Sequence, residues 1–489
     1  MTPVLAVIFG YLSIVLAIGF LGHRLFRGTG EDYFLASRTI GSFVLLMTLF
    51  GTHMTAFTIL GASGEAHLRG IEVFALMGSS SALIAPLVFY FVGTRLWWLG
   101  KRHGYLTQVQ FFRDRYQSDS LGLLLFIVLI GLLVPYVLIG VKGGGDVLTA
   151  LTGGAEEGLP NWVGSLLICG VIFSYVSYGG MRSTAWANTF QTIVFMTVGC
   201  LAFYVVVGRY GGLGMAMETL YERNPELVRI GWSRQELFRM GSYLLVPLSV
   251  GVFPHIFGHW LSARSAHTFR ATIVLYPIFI AVVWLSSVVL GLLGHIDFPP
   301  PIQGPVLVHL ILENSGGLLA GLLAAGVFAA IMSSLDSQTL AACTIFTQDI
   351  VHHYGFNDRL SERKQVLFGR LLALIFLAVV FVLAMVTSRS IFSVGVWSLS
   401  GFAGLFPIVV AALYWRRSTA AGAIGAIVTV GGLWVLFFLC GLESPGEYTV
   451  AGSGIMPVAF LFVGATVSVV ALSLVTRPPD RDVVERFFP

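Results

Sequence analysis

The chain has 489 residues, 56% of them hydrophobic and 11% charged, with a formal net charge of +4 and a mean hydropathy of +0.86. Soluble domains carry about 25% charged residues, so this composition argues against a soluble enzyme or a nucleic-acid-binding protein and places most of the chain in lipid. No nucleotide loop, nucleophile motif or metal cluster stands in the sequence. The four cysteines (Cys169, Cys200, Cys343, Cys440) fall in apolar stretches at unrelated spacings, as small core residues do.

A membrane helix needs about 20 apolar residues to cross ~30 Å. By that rule thirteen spans are expected, at 3–25, 41–67, 71–98, 120–148, 160–178, 185–208, 239–262, 268–294, 317–349, 366–387, 391–415, 418–440 and 455–475. The first is too long, and lacks the cleavage pattern, for a removable signal peptide. The longest polar connections are 210–238, which suits a short amphipathic external helix, and 350–365. The tail 476–489 is too short for a catalytic or signalling domain.

Charge orients the bundle. With the first span's N-terminus outside, 20 of the 28 basic residues fall on the inner side, among them Arg27, Arg182, Arg264, Arg359 and Arg416. The positive-inside rule then favours an outer N-terminus and a cytoplasmic C-terminus, in the inner membrane of the cell.

Helix breakers gather in particular spans. The second carries Gly51, Gly61 and Gly64 with four threonines; the seventh carries Pro247, Gly251, Pro254 and Gly258. These two lie five spans apart, as expected for two five-helix units of inverted topology. The chain then divides into an N-terminal helix and loop (1–40), a first repeat (41–208), an external loop (209–238), a second repeat (239–415) and a C-terminal helix pair with a short tail (416–489).

Polar groups inside such spans usually face a cavity or an ion path. The run Phe328-Ala-Ala-Ile-Met-Ser-Ser-Leu-Asp-Ser-Gln338 sets two hydroxyls, Ser333 and Ser334, and the Asp336 carboxylate in the ninth span. Unwinding the second span near Gly51–Thr55 would free backbone carbonyls. With the Ala330 carbonyl, three to four residues behind the serines, these make five neutral oxygens, which suits a hard cation such as sodium. The alternative is that both serines bond back to their own helix. For Asp336 the readings are a cation exit step, an inner-gate pairing with Arg182 or Arg264, or a hydrated carboxylate at the cytoplasmic mouth.

The chain resembles the sodium:solute symporter family, whose members have the LeuT-like fold. The resemblance runs through Asp32-Tyr-Phe-Leu-Ala-Ser-Arg38, Tyr178-Gly-Gly-Met-Arg182 with Gln191, Pro254-His255 and Ala263-Arg264. It continues in Ala329-Ala-Ile-Met-Ser-Ser334, Ile345-Phe-Thr-Gln-Asp-Ile350, and Ala420-Ala-Gly-Ala423 after Trp415-Arg-Arg417. It implies an all-α membrane protein of thirteen helices around a LeuT-like core of two inverted five-helix repeats. It also implies sodium-coupled alternating access, with sodium on the Gly51, Met54 and Ala330 carbonyls and the Ser333 and Ser334 hydroxyls. Many relatives carry a Trp-Thr-Asp acid where Trp186-Ala-Asn188 stands here, so a single coupled sodium is expected. Proline and hexoses are disfavoured as solutes, because the family's contacts for them fall here on His53, Val246, Val250 and a mostly apolar lining.

The solute cavity is expected among His53, Thr55, Phe57 and Thr58 of the second span, Tyr136 of the fourth, Phe253 and His255 of the seventh, and Trp397 and Ser400 of the eleventh. These suit a small, partly apolar solute with one anionic end, a monocarboxylate or amino acid. The broken second helix would offer N–H groups to the carboxylate. Two other classes stay open: a solute sensor on a transporter fold, and proton-driven transport using His53. Oligomeric state is not set by the sequence.

Overall fold

The computed structural model describes residues 3–24, 29–356, 362–442 and 447–488. In chain order its main helices are α1 (Pro3–Arg24), α2 (Ser42–His53), α3 (Phe57–Arg69), α4 (Phe74–His103), α5 (Gln108–Tyr116), α6 (Asp119–Leu151), α7 (Asn161–Arg209), α8 (Arg234–Gly251) and α9 (Pro254–Ser262). There follow α10 (Ala266–Asp297), α11 (Gly317–Gly355), α12 (Arg363–Val386), α13 (Ile391–Tyr414), α14 (Ala420–Cys440) and α15 (Pro457–Val475).

Ten of these helices are long and apolar enough to cross a bilayer, and twelve spans result when the bent pairs α2–α3 and α8–α9 each count as one. The difference from thirteen lies in α7. Its 49 residues would measure about 74 Å if straight, more than twice a hydrocarbon core. It breaks at Gly180, where φ is 53° and ψ −145°. Only glycine suits this point, since a Cβ there would stand 2.3 Å from the Tyr33 carbonyl oxygen.

Burial separates core from rim. In α11 and α13, 83% and 89% of the apolar window is buried, against 28–33% in α1, α12, α14 and α15. α11 therefore runs through the middle, packed on α7, α6, α1 and α2. The Gly- and Ala-rich run Ala320–Ala330 allows that approach, because small side chains let helices come close where lipid supplies no hydrophobic drive.

The breaks fall where the sequence placed its breakers. α2 and α3 bend by 53° across Met54–Ala56, and α8 and α9 by 48° across Val252–Phe253. The two broken units are clasped at one end: Ile40 N–H donates to the Ser262 carbonyl at 3.1 Å and Arg264 N–H to the Ile40 carbonyl at 2.9 Å. Within the stretch 210–238 a helix does form at Leu213–Arg223. The four cysteines are free, but Cys200 and Cys440 sit on the outside of the bundle rather than in its core. Arg27 and Arg359 lie outside the described residues.

Candidate functional site

The end of α2 meets the middle of α11. The Ser333 hydroxyl lies 2.9 Å from the Gly51 carbonyl oxygen and 3.0 Å from that of Ala330. Three of the five expected oxygens thus share one contact. Met54 caps the end of α2 in extended backbone (φ −83°, ψ 92°), so its carbonyl has left the helical direction. Ser334 turns its hydroxyl to the Ile331 carbonyl of its own helix at 2.9 Å, the back-bonded arrangement. Both serines are buried. The neutral oxygens here, two of them on irregular or terminal backbone, fit a hard monovalent cation.

A residue that the sequence did not indicate closes this place from behind. Thr192 of α7 donates to the Met47 carbonyl at 3.0 Å. Its Oγ1 lies 2.2 Å from where a Gly51 Cβ would be. Gly51→Ala should therefore push α2 off α7, at a cost of about 1–3 kcal/mol, and weaken a cation seated on the Gly51 carbonyl about tenfold or more by the same scale. Adding Thr192→Ala removes the obstruction and should recover most of the loss in a sodium-binding titration. No recovery would mean that Gly51 acts otherwise than through this contact.

The nine expected solute residues fall into two groups. His53, Thr55, Tyr136, Phe253 and His255 converge at the two breaks. Phe253, Tyr136 and His255 form a triangle of rings, with centroids 5.1 Å (Phe253–Tyr136), 5.0 Å (Phe253–His255) and 5.8 Å (Tyr136–His255) apart, and His53 stands 6.4 Å from Phe253. His53 Nδ1 lies 2.7 Å from the Tyr276 hydroxyl of α10, a partner on neither broken helix. Thr55 accepts from the Phe57 N–H at 3.0 Å and so caps α3, engaging one of the N–H groups expected to receive a carboxylate.

The others lie farther along. Phe57 packs into the bundle, 4.9 Å from Phe392 and 5.9 Å from Trp284, with Gly395 beneath it. Thr58 is buried. Trp397 and Ser400 instead line a cavity of about 690 Å³ with Glu65, Arg69, Arg239, Arg389, Glu447 and Tyr448. In its wall Arg69 bridges Glu65 and Glu72 at 2.9 Å each and Glu447 at 3.0 Å, and Arg239 holds Glu72 at 2.7 Å. Glu65 and Glu72 flank Arg69 at i,i+4 and i,i+3 spacing, whereas Arg239 and Glu447 join the network from far along the chain.

At the opposite end, Thr107 donates to Asp349 Oδ2 at 2.7 Å, and Arg113 reaches Oδ1 at 3.3 Å. Asp336 is not at a hydrated mouth. It is fully buried, and neither arginine considered for it is its partner, Arg182 being paired with Asp32 at 2.6 Å.

Comparisons with known proteins accord with this architecture. The sequence model described as the sodium:solute symporter family matches residues 33–430. The sodium/pantothenate symporter of Escherichia coli is 26% identical over 470 residues, covering 93% of this chain and 94% of that one. The sodium/proline symporter of the same organism is 23% identical over 513 residues, covering 99% and 96%. The solved structure of a Na+-coupled sialic acid symporter, substrate-bound and outward-open, superposes with a TM-score of 0.79 at 18% identity, over 98% of this chain and 99% of that one. At that identity the likeness is one of fold.

Proposed function

This chain belongs to the sodium:solute symporter family, and on that premise we propose that it carries a small monocarboxylate or amino acid by alternating access around the breaks in α2–α3 and α8–α9. It is a multi-pass membrane protein and a sodium-coupled symporter, not an enzyme, with the LeuT-like fold. Sodium is the coupling ion. The observation that carries the site assignment is the meeting of the Gly51 and Ala330 carbonyls on one Ser333 hydroxyl. Sodium would take those oxygens together with the Met54 carbonyl and the Ser334 hydroxyl. Turning the latter away from Ile331 requires only a rotamer change.

The solute would enter by the cavity at Trp397 and Ser400 and rest against His53, Tyr136, Phe253 and His255. Aromatic faces suit an apolar body, and the imidazoles suit one anionic end. The pairing of broken helices supports the inverted five-helix repeats, with 1–40, 209–238 and 416–489 as additions. The break at Gly180 supports reading α7 as two spans, which restores thirteen. The charge distribution supports an outer N-terminus, an orientation in which the 690 Å³ cavity would face outside and Asp349 inside.

A thermal-shift screen of purified protein tests the solute class, with carboxylates, amino acids, pantothenate and sugars compared in sodium and in potassium. A ligand at 100 times its dissociation constant stabilises by ~2.7 kcal/mol. A monocarboxylate or amino acid is expected to shift unfolding in sodium alone. An equal shift in both salts would favour a sensor of the same fold, and a hit confined to sugars would overturn the solute assignment.

A further inference from the structure

At the end of the bundle that holds the Ile40–Ser262 clasp, α4, α10 and the close of α13 frame an open cavity of about 520 Å³. Its charged lining is basic: Arg95 of α4, and His267 and Arg270 of α10. No acidic side chain lines it, and among the described residues neither arginine has a carboxylate partner. Arg95 instead stands over the Tyr414 ring, 4.6 Å from its centroid, and the Tyr414 hydroxyl donates to the Phe91 carbonyl at 2.6 Å. Tyr90, Phe91 and Tyr414 are exposed around the rim. Exposed tyrosines beside arginines mark the level of lipid headgroups.

The surface leading away from the two arginines is apolar on both helices. From Arg95, steps of four residues give Phe91, Leu87 and Leu83, all exposed. From Arg270, the same steps give Val274, Ile278 and Val282, again all exposed. Residues four apart share a helix face. Arg95 lies near the end of α4 and Arg270 near the start of α10, so both stripes run from the cavity toward the middle of the membrane. Each stripe covers twelve residue steps, from 95 to 83 and from 270 to 282, or about 18 Å of helix. That is close to the ~15 Å of hydrocarbon in one leaflet. Two cations at the head of two apolar stripes match a molecule that carries one phosphate and two acyl chains. A free phosphate would use the cations alone.

We propose that this cavity holds the headgroup of an anionic phospholipid, its phosphodiester against Arg95 and Arg270 and its acyl chains along the two apolar stripes. The guanidinium fork suits phosphate oxygens. A headgroup that carries an ammonium brings a cation for which the lining offers no carboxylate, so phosphatidylglycerol is preferred over phosphatidylethanolamine. The bound lipid braces α4, α10 and the end of α13 against one another beside the clasp. The site depends on neither the ion nor the solute that the chain carries.

Native mass spectrometry of the purified full chain, titrated with phosphatidylglycerol, phosphatidylethanolamine and inorganic phosphate, tests this. The wild-type protein should hold phosphatidylglycerol more tightly than phosphatidylethanolamine. An arginine near a lipid surface is worth about a fivefold change in affinity. Arg270→Gln should therefore weaken phosphatidylglycerol about fivefold, and Arg95→Gln with Arg270→Gln about 25-fold on the same scale. Arg102→Gln removes an exposed arginine from the same end of α4 but outside the cavity lining, and should leave binding unchanged. An equal loss in Arg102→Gln and Arg270→Gln would reveal diffuse attraction to a basic surface and overturn the proposal. Equal binding of the two lipids overturns it as well. So does inorganic phosphate that displaces the lipid at equal concentration, which would make this a site for a free anion. Arg270 is exposed and unpaired among the described residues, so its single variant decides if the double variant does not fold. Unchanged binding in Arg270→Gln overturns the proposal.

Discussion

Ser333→Ala combined with Ser334→Ala is expected to abolish sodium-stimulated uptake while leaving a folded, monodisperse protein. The structural loss is small. Ser333 gives up its contacts with the Gly51 and Ala330 carbonyls and Ser334 its bond to Ile331, each worth about 1 kcal/mol net. The ion loses more. Two of the five oxygens proposed to hold it disappear in a buried place where water cannot substitute freely. If each contact counts like a hydrogen bond to a charged group, about 1.5–3 kcal/mol, affinity falls by a factor on the order of 100 to 10,000. The readout is uptake of the solute found in the screen, in proteoliposomes, with sodium replaced by potassium. Sodium dependence that survives the double substitution would remove these serines from the site.

Arg69→Leu is expected to be the most destabilising single change in the wall of the large cavity. Its guanidinium serves Glu65, Glu72 and Glu447, and all four side chains are below 20% exposed. Among the described residues, leucine would leave three carboxylates with Arg239, on Glu72, as their one remaining ion-pair partner. Breaking a buried pair by removing one member costs about 3–5 kcal/mol, mainly because the other charge is stranded. Thermal unfolding in detergent should register the loss. Neutralising one stranded acid, in Arg69→Leu with Glu447→Gln, should then be more stable than Arg69→Leu alone. If the double variant is no more stable, repulsion among the acids is not what the arginine suppresses.

Much of the core was legible because glycine, proline and hydroxyls are costly inside a membrane and so mark irregular backbone. The breaks at Met54–Ala56 and Val252–Phe253 sit within the clusters that announced them, and Ser333 touches the carbonyl that ion chemistry demanded. What escaped was partnership at long range. Thr192 behind Gly51, Tyr276 on His53 and Tyr175 on Asp336 are each separated from their partners by 140 residues or more in sequence, and nothing local distinguishes them from packing residues. Asp336 was read toward a watery mouth because spacing gives depth along a helix but not what surrounds it. The solute residues were gathered into one cavity for the same reason. Phe57 follows His53 and Thr55 closely in sequence, yet across the break it packs on Phe392.

The large cavity has a consequence for selectivity. At ~30 Å³ per molecule, 690 Å³ holds on the order of twenty waters. A three-carbon acid displaces only a few of these and touches little wall. Such an antechamber can sort visitors by charge, through Arg69, Arg239, Arg389, Glu65 and Glu447, but it is too roomy to measure them. On the proposed solute route, discrimination by size falls to the ring cluster of Tyr136, Phe253 and His255. Variants of the antechamber should therefore change how fast solutes are captured, and variants of the ring cluster which of them are accepted.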